Sequence, residues 1–321
     1  MTFRRRCVKG RQSERLGAVA VPFRLALVGA GRMGLAHARA LEREAPVKLA
    51  SVVEPSDEAA SRLPGPQRFR TVEELVRGGA VDGALVAVPT RLHVDVVSTL
   101  LGAEIPVLCE KPCGRTSAEA RELQRAGGVL CVAYWRRFVP ALVTLRERIA
   151  RSELGVVSHA FCSQWDERPP SAAFRDPASS GGIVVDMGVH EFDLLRWLTG
   201  QEIEQVCGFA SSVCFDPPVA GDPESVSLAA RLADGATALV TLGRRHAPGE
   251  VHRVEVIGTE GAVRSEFVSP PQGDEQIAAA LRRQANAFAA AARGGEWPGA
   301  SPADAVAALA AAEAANAALG F

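Results

Sequence analysis

Only three of the 36 basic side chains in this chain are lysines, Lys9, Lys48 and Lys111, and Lys111 stands where a lysine can do chemistry. Arginine cannot lose its proton in a protein, whereas lysine is a compact donor whose charge its surroundings can tune. Lys111 follows the apolar run Val107-Leu108-Cys109-Glu110, which reads as a buried strand. Strand ends open onto the ligand crevice of an α/β protein. A second loaded segment runs from Gly181-Gly182 through Asp186 and His190 to Trp197. On one continuous helix, positions 186, 190, 193 and 197 share a face, which predicts a row of Asp186, His190, Asp193 and Trp197. An imidazole beside a carboxylate is a ready general base, because its pKa lies near neutrality. The competing readings are a surface lysine after a strand and a structural His-Asp pair at a domain interface. Metal ligation by Asp186 and His190 lacks a third ligand at matching spacing, so no metal is expected.

The elements that must position these groups follow from periodicity. Leu25 to Val28, Lys48 to Val53, Gly83 to Val88, Ile105 to Cys109 and Val129 to Ala133 read as strands. Helical stretches alternate with them, at Gly34 to Glu44, Glu73 to Arg77, His93 to Leu101 and Ser117 to Arg125. Such alternation predicts a doubly wound parallel sheet. After about residue 136 the pattern changes to a helix over 140–150, a long strand over 156–164 and a helix over 185–198 ended by Gly200. Strand-like runs over 205–213, 225–232, 236–242, 251–257 and 262–267 come next, with Asp234-Gly235 as a hairpin turn, and two Ala-rich helices end the chain. The expected fold is therefore α/β: an N-terminal Rossmann domain over 23–136, and over 137–321 a substrate-binding and oligomerisation domain of α+β type with a large, mostly antiparallel open sheet. Residues 1–22 are basic, with Arg4-Arg5-Arg6, but the apolar stretch Ala18 to Val21 is too short for a signal. They read as a disordered or over-extended N-terminus.

Strand one feeds Gly29-Ala30-Gly31-Arg32-Met33-Gly34, the pattern Gly-x-Gly-x-x-Gly between a strand and a helix. The first glycine makes the turn, the second lets backbone approach a pyrophosphate, and the third lets helix pack on strand. Glu54 ends the second strand twenty residues after Gly34, where a carboxylate can take the adenosine ribose hydroxyls. It would repel a 2′-phosphate, which favours NAD over NADP. A glycine turn without a ligand is the competing reading.

Composition excludes several classes. The chain has 321 residues, 47% apolar and 23% charged, with a formal net charge of -1, so nothing electrostatic points to nucleic acid. No stretch reaches the roughly 18 apolar residues of a membrane helix. Seven scattered cysteines with no Cys-x-x-Cys suggest neither a disulfide framework nor a zinc knuckle, and a cytoplasmic setting is the simplest. The single tyrosine, Tyr134, is followed four positions later by Phe138, so a Tyr-x-x-x-Lys dehydrogenase is ruled out.

Together Gly29 to Gly34, Glu110-Lys111-Pro112 and Asp186-x-x-x-His190 resemble the glucose-fructose oxidoreductase / inositol dehydrogenase / rhizopine catabolism (Gfo/Idh/MocA) family over residues 24 to 321, with the inositol 2-dehydrogenases most similar. The resemblance implies Lys111, Asp186 and His190 as catalytic residues. For the cofactor it implies Gly29, Gly31, Arg32, Met33, Gly34, Glu54 and Glu110, together with Pro89, Thr90 and His93 of a motif that usually has asparagine at Thr90. For substrate it implies Trp135, Arg137 and Asp166 beside the catalytic three, and it notes Gly243-Arg244-Arg245 as similar. The implied reaction is NAD-linked oxidation of a secondary hydroxyl on a cyclitol or sugar. His190 would take the proton, Asp186 would orient the imidazole and Lys111 would stabilise the alkoxide. Alternatives are an aldose or aminocyclitol-precursor dehydrogenase, an NAD-dependent glycosidase, and a non-enzymatic sugar sensor. A homodimer or homotetramer is implied, with a small polyol, cyclitol or sugar as the other partner.

Overall fold

A computed structural model describes residues 21–42, 46–213, 219, 221–269 and 272–321. Of the expected N-terminal extension only Val21 and Pro22 fall among them, and Glu44, the expected end of the first helix, lies outside them.

Six parallel strands form the first sheet: β1 (Phe23–Val28), β2 (Val47–Val53), β3 (Gln67–Phe69), β4 (Gly83–Val86), β5 (Val107–Glu110) and β6 (Leu130–Ala133). Their order is β3-β2-β1-β4-β5-β6, the doubly wound Rossmann arrangement. β4, β5 and β6 are buried at every position, which is why they read as unbroken apolar runs rather than alternating ones. The helices Val72–Gly78 and Ser117–Arg125 begin where Thr71 and Thr116 accept hydrogen bonds from the backbone N–H of Glu74 and Glu119. β3 and the short helix Asp57–Ser61 were not expected, because a three-residue strand and a five-residue helix leave too little periodicity to read.

The second sheet contains β7 (Val157–Trp165), β8 (Ile203–Ser211), β9 (Ser225–Leu232), β10 (Thr237–Gly243), β11 (Val251–Gly258) and β12 (Gly261–Val268), in the order β12-β11-β7-β10-β9-β8. Only β7 and β10 pair in parallel, and the other neighbours are antiparallel. Strict alternation of buried and exposed residues along β9 gives the sheet one inner and one outer face. Gly235, with φ of 91°, closes the expected β9–β10 hairpin.

The last two helices tie the halves together. Gly273–Ala292 returns to the first sheet, where Phe288 meets Phe23 edge-on at 5.8 Å. Pro302–Leu319 starts in a capping box of Ser301 and Asp304 and buries Ala305, Ala308, Ala312 and Ala315. Small side chains on that face let the helix backbone lie close to its neighbours.

Candidate active site

β1 delivers the chain into the glycine loop. Gly29 has φ of +98°, and a β-carbon there would sit 2.7 Å from the Ala87 carbonyl oxygen. At Gly34 a β-carbon would lie 2.1 Å from the Gly29 carbonyl oxygen, so only glycine lets loop and helix close together. Gly31 differs: it is exposed, and a β-carbon would meet no protein atom within 4 Å. Open space therefore lies over the start of the helix Arg32–Leu41, which has no side-chain cap and no acidic residue in its first turn. Free N–H groups and the positive end of the helix dipole suit a pyrophosphate there, with Arg32 and Met33 at the rim. Glu54 accepts hydrogen bonds from the N–H of Ala30 and of Ser56, both at 2.9 Å. That pins its carboxylate beside the loop with lone pairs left for ribose hydroxyls. Pro89 is exposed and Thr90 half-buried at the end of β4. These residues fit a dinucleotide.

Two expected cofactor residues sit elsewhere. The Glu110 carboxylate is buried, 2.6 Å from His37 Nε2, and also accepts the Lys111 N–H at 3.0 Å. His93 is 1% exposed, and its two ring nitrogens each lie 2.9 Å from a carbonyl oxygen, of Pro112 and of Val88. Both therefore brace the crevice from behind. A charged or imidazole side chain at an apolar strand end must find internal partners once buried, and these two did.

Lys111 emerges from the end of β5 and reaches across to the second half of the chain. Its Nζ donates to the Asp186 carbonyl at 2.6 Å and to Asp186 Oδ1 at 3.0 Å. The other carboxylate oxygen, Oδ2, accepts from Arg244 Nη1 at 2.7 Å. Burial alone would raise the Asp186 pKa, but the Lys111 and Arg244 charges outweigh it and hold the carboxyl at about 2. Asp186 is thus a fixed anion at neutral pH and no proton acceptor.

The expected carboxylate–imidazole pair is not made. A turn of π-helix, Val184–Gly188, precedes the α-helix Val189–Thr199, so Asp186 is out of phase with the residues that follow. His190 Nδ1 is buried without a hydrogen-bond partner. Aromatic edges hold its ring instead: Tyr134 at 5.8 Å and Trp135 at 6.3 Å, both T-shaped. Burial, then the charges of Arg136 and Lys111, push its pKa well below the usual histidine value, so the imidazole is neutral at pH 7. Of the expected row, only Asp186 leaves the face, because His190, Asp193 and Trp197 lie together in the regular α-helix. Asp193 turns to Arg137, and Trp197 lies under Arg146 at 5.0 Å.

Adjacent arginines in the tight turn Trp135–Phe138 point to different neighbours. Arg137, expected at the substrate, is buried with Asp193 and with Asp304. Arg136, which the sequence reading passed over, bonds Glu191, Gln164 and His252 beside the site. His252 Nδ1 accepts from Arg136, so its Nε2–H donates to Glu250 at 2.9 Å. Burial, with Arg136 and Lys111 next, keeps that imidazole neutral too. Asp166 accepts from Gln164 Nε2 at 3.0 Å and lies 3.8 Å from Arg244. Burial raises its pKa, and although the Gln164 bond opposes this, Glu250 and Asp186 add to it and bring the carboxyl to about 6. Arg244 and its buried partner Asp222 were also unassigned from sequence. Among the described residues no group of three or more His, Cys, Asp or Glu side chains could hold a metal ion.

Comparison with known proteins places this geometry. Residues 23–128 match the model for an oxidoreductase family with an NAD-binding Rossmann fold, and residues 142–264 match the GFO/IDH/MocA C-terminal domain. The rhizopine catabolism protein MocA of Rhizobium meliloti is 46% identical over 302 residues, covering 92% of this chain and 94% of its own. An inositol 2-dehydrogenase of Rhizobium meliloti (strain 1021) is 31% identical over 255 residues, 77% of this chain and 76% of its own. The crystal structure of GenD2 from gentamicin A biosynthesis, in complex with NAD, superposes with a TM-score of 0.85 at 26% identity, covering 98% of this chain and 97% of that one. The chain belongs to the GFO/IDH/MocA family and is an NAD-binding oxidoreductase.

Proposed function

We propose that the protein oxidises a secondary hydroxyl of a cyclitol or sugar ring to the ketone. The observation that carries this reading is the meeting of Lys111 Nζ with Asp186 at the strand-end edge that also bears the open Gly31 loop. Bound NAD supplies the hydride acceptor. Lys111 donates to the substrate oxygen and stabilises the charge that develops there. His190, neutral and buried, accepts the hydroxyl proton. Asp186 fixes the Lys111 ammonium rather than the imidazole. Asp166 and Trp135 line the substrate side, Asp166 as an acceptor for ring hydroxyls and Trp135 as an apolar wall against His190. The cyclitol class is supported by the inositol 2-dehydrogenase relative.

The residues over 23–136 serve the cofactor and those over 137–321 the substrate. Exposed Phe209, Leu239 and Ile257 on the second sheet support a homodimer or homotetramer through that sheet. No helix among the described residues is long and apolar enough to cross a membrane. The free cysteines Cys109, Cys113, Cys131, Cys162 and Cys207 support a reducing, cytoplasmic setting.

The test is to incubate purified protein with NAD or NADP and a panel of inositols and aldoses, and to follow reduced-nicotinamide absorbance. Reduction of NAD that depends on a cyclitol or sugar is the expected result. Cleavage of a glycoside with no net reduction by any free polyol would overturn it.

A further inference from the structure

Arg244 follows β10 and is fully buried. Its Nη1 donates to Asp186 Oδ2 and its Nη2 to Asp222 Oδ1, both at 2.7 Å. Asp222 Oδ2 accepts in turn from Arg175 Nε at 3.0 Å. The result is a buried row of alternating charge, Lys111, Asp186, Arg244, Asp222 and Arg175, that starts in the cofactor half and ends in the substrate half.

This row answers a problem at Lys111. The ammonium makes two hydrogen bonds to Asp186. Its third N–H can meet a substrate oxygen, and as negative charge grows there the ammonium is drawn away from the carboxylate. A buried carboxylate stripped of its only cation is heavily penalised, and that penalty would hold the lysine back. Here Oδ2 has a cation of its own. A planar guanidinium can bridge two carboxylates through its two terminal nitrogens, which a point-like ammonium cannot do with the same fixity.

We propose that Arg244 is a positioning residue: bridged to Asp222, it holds the Asp186 carboxylate in place while Lys111 engages the substrate oxygen. The inference rests on Lys111 being the donor to substrate.

The experiment compares wild type with R244K, R244M, R244M/D222N, D186N, R244M/D186N and K111M. It reads kcat, KM for polyol, NAD affinity by fluorescence quenching, and Tm. R244M should lower kcat about 100-fold, the scale on which misplacing a catalytic group costs turnover, and leave NAD affinity unchanged. R244K should recover part of the loss. Adding D222N to R244M removes a buried carboxylate that would be left with Arg175 alone, so it should recover part of the lost Tm without restoring kcat. In the D186N background, where residual turnover is measured at high enzyme concentration, R244M should cost nothing further, because Asp186 is the group through which Arg244 acts. A folded R244M/D222N enzyme with wild-type kcat beside an inactive K111M would overturn the role of Arg244 alone. Wild-type turnover in K111M would remove the Lys111 assignment and this proposal with it.

Discussion

Arg137 and Asp193 face each other through two hydrogen bonds, from Nε at 3.0 Å and from Nη2 at 2.6 Å, with both side chains buried. This two-pronged pair takes up the Nε–Nη2 edge of the guanidinium, and Asp304 lies 3.2 Å from Nη2 as well. Breaking a buried pair by removing one partner typically costs about 3–5 kcal/mol, because the other charge is left uncompensated. Arg137→Met should therefore lower unfolding free energy by an amount of that order in denaturant melts. The folded fraction should keep its KM for polyol, and pairing the change with Asp193→Leu should recover much of the loss. A selective rise in KM without loss of stability would return Arg137 to the substrate pocket.

With His190 as the proposed proton acceptor, its titration should set the acid limb of the pH–rate profile. As a proton acceptor it works only when neutral, and burial, Arg136 and Lys111 all lower its pKa. Activity should therefore persist as pH falls through the ordinary histidine value of about 6.5 and decline only below it. His190→Ala should abolish turnover and leave NAD binding intact. A limb in kcat/KM centred above pH 7 that survives in other site variants would contradict the assignment.

Glu54 is proposed to favour NAD by repelling a 2′-phosphate. Arg68 and Arg70 stand beside it, donating to the Glu54 and Pro55 carbonyls, and both pair with Asp57. Glu54→Ser should weaken use of NAD about tenfold, as a charge-assisted contact to the ribose is lost. The same change leaves two guanidinium groups near the vacated carboxylate, so kcat/KM with NADP should rise. Measuring both cofactors in one series checks the sign of each change.

Asp166 carries a pH-dependent stability term. Its folded pKa of about 6 stands above the ordinary 3.8. A raised carboxyl contributes stability that is fully present below pH 3.8 and lost as pH rises through 6. Asp166→Asn removes that loss. At pH 8 it should be more stable relative to wild type than at pH 4, by about 2 kcal/mol, given roughly 1.4 kcal/mol per pKa unit and some remaining solvent contact. Paired denaturant titrations at the two pH values provide the measurement.

Much of this was legible because it rests on local rules. Gly29, Gly31 and Gly34 stand between a strand and a helix, and Lys111 ends a strand, so chain position alone put them at the crevice. What stayed hidden depends on how separate segments meet. Nothing in the run Trp135-Arg136-Arg137 says which arginine meets the site and which meets Asp193, because both are buried and a tight turn sends them to different neighbours. Glu110 and His93 carry a ligand-like chemistry, and only the packing of His37 and the Pro112 carbonyl reveals that they are taken. Arg244 did leave a trace. On β10 the inward residues are Ala238, Val240 and Leu242, and the same parity carries on to 244. A charged residue at a core-facing position needs a buried partner. Gln164 and His252 stand at inward positions of β7 and β11 in the same way.

The π-turn at Val184–Gly188 acts as a phase shifter between two parts of one helix. Each residue of an α-helix advances by about 100°, so a single deletion in this turn would swing Asp186 by about that angle relative to His190. The widened turn lets the helix from Val189 onward keep its packing register, with Phe192, Leu195 and Leu198 buried, while the carboxylate that meets Lys111 and Arg244 is aimed independently. Core register and site geometry are thereby uncoupled within a few residues of chain. A lineage carrying this extra residue could retune the direction of its carboxylate without repacking the helix beneath it.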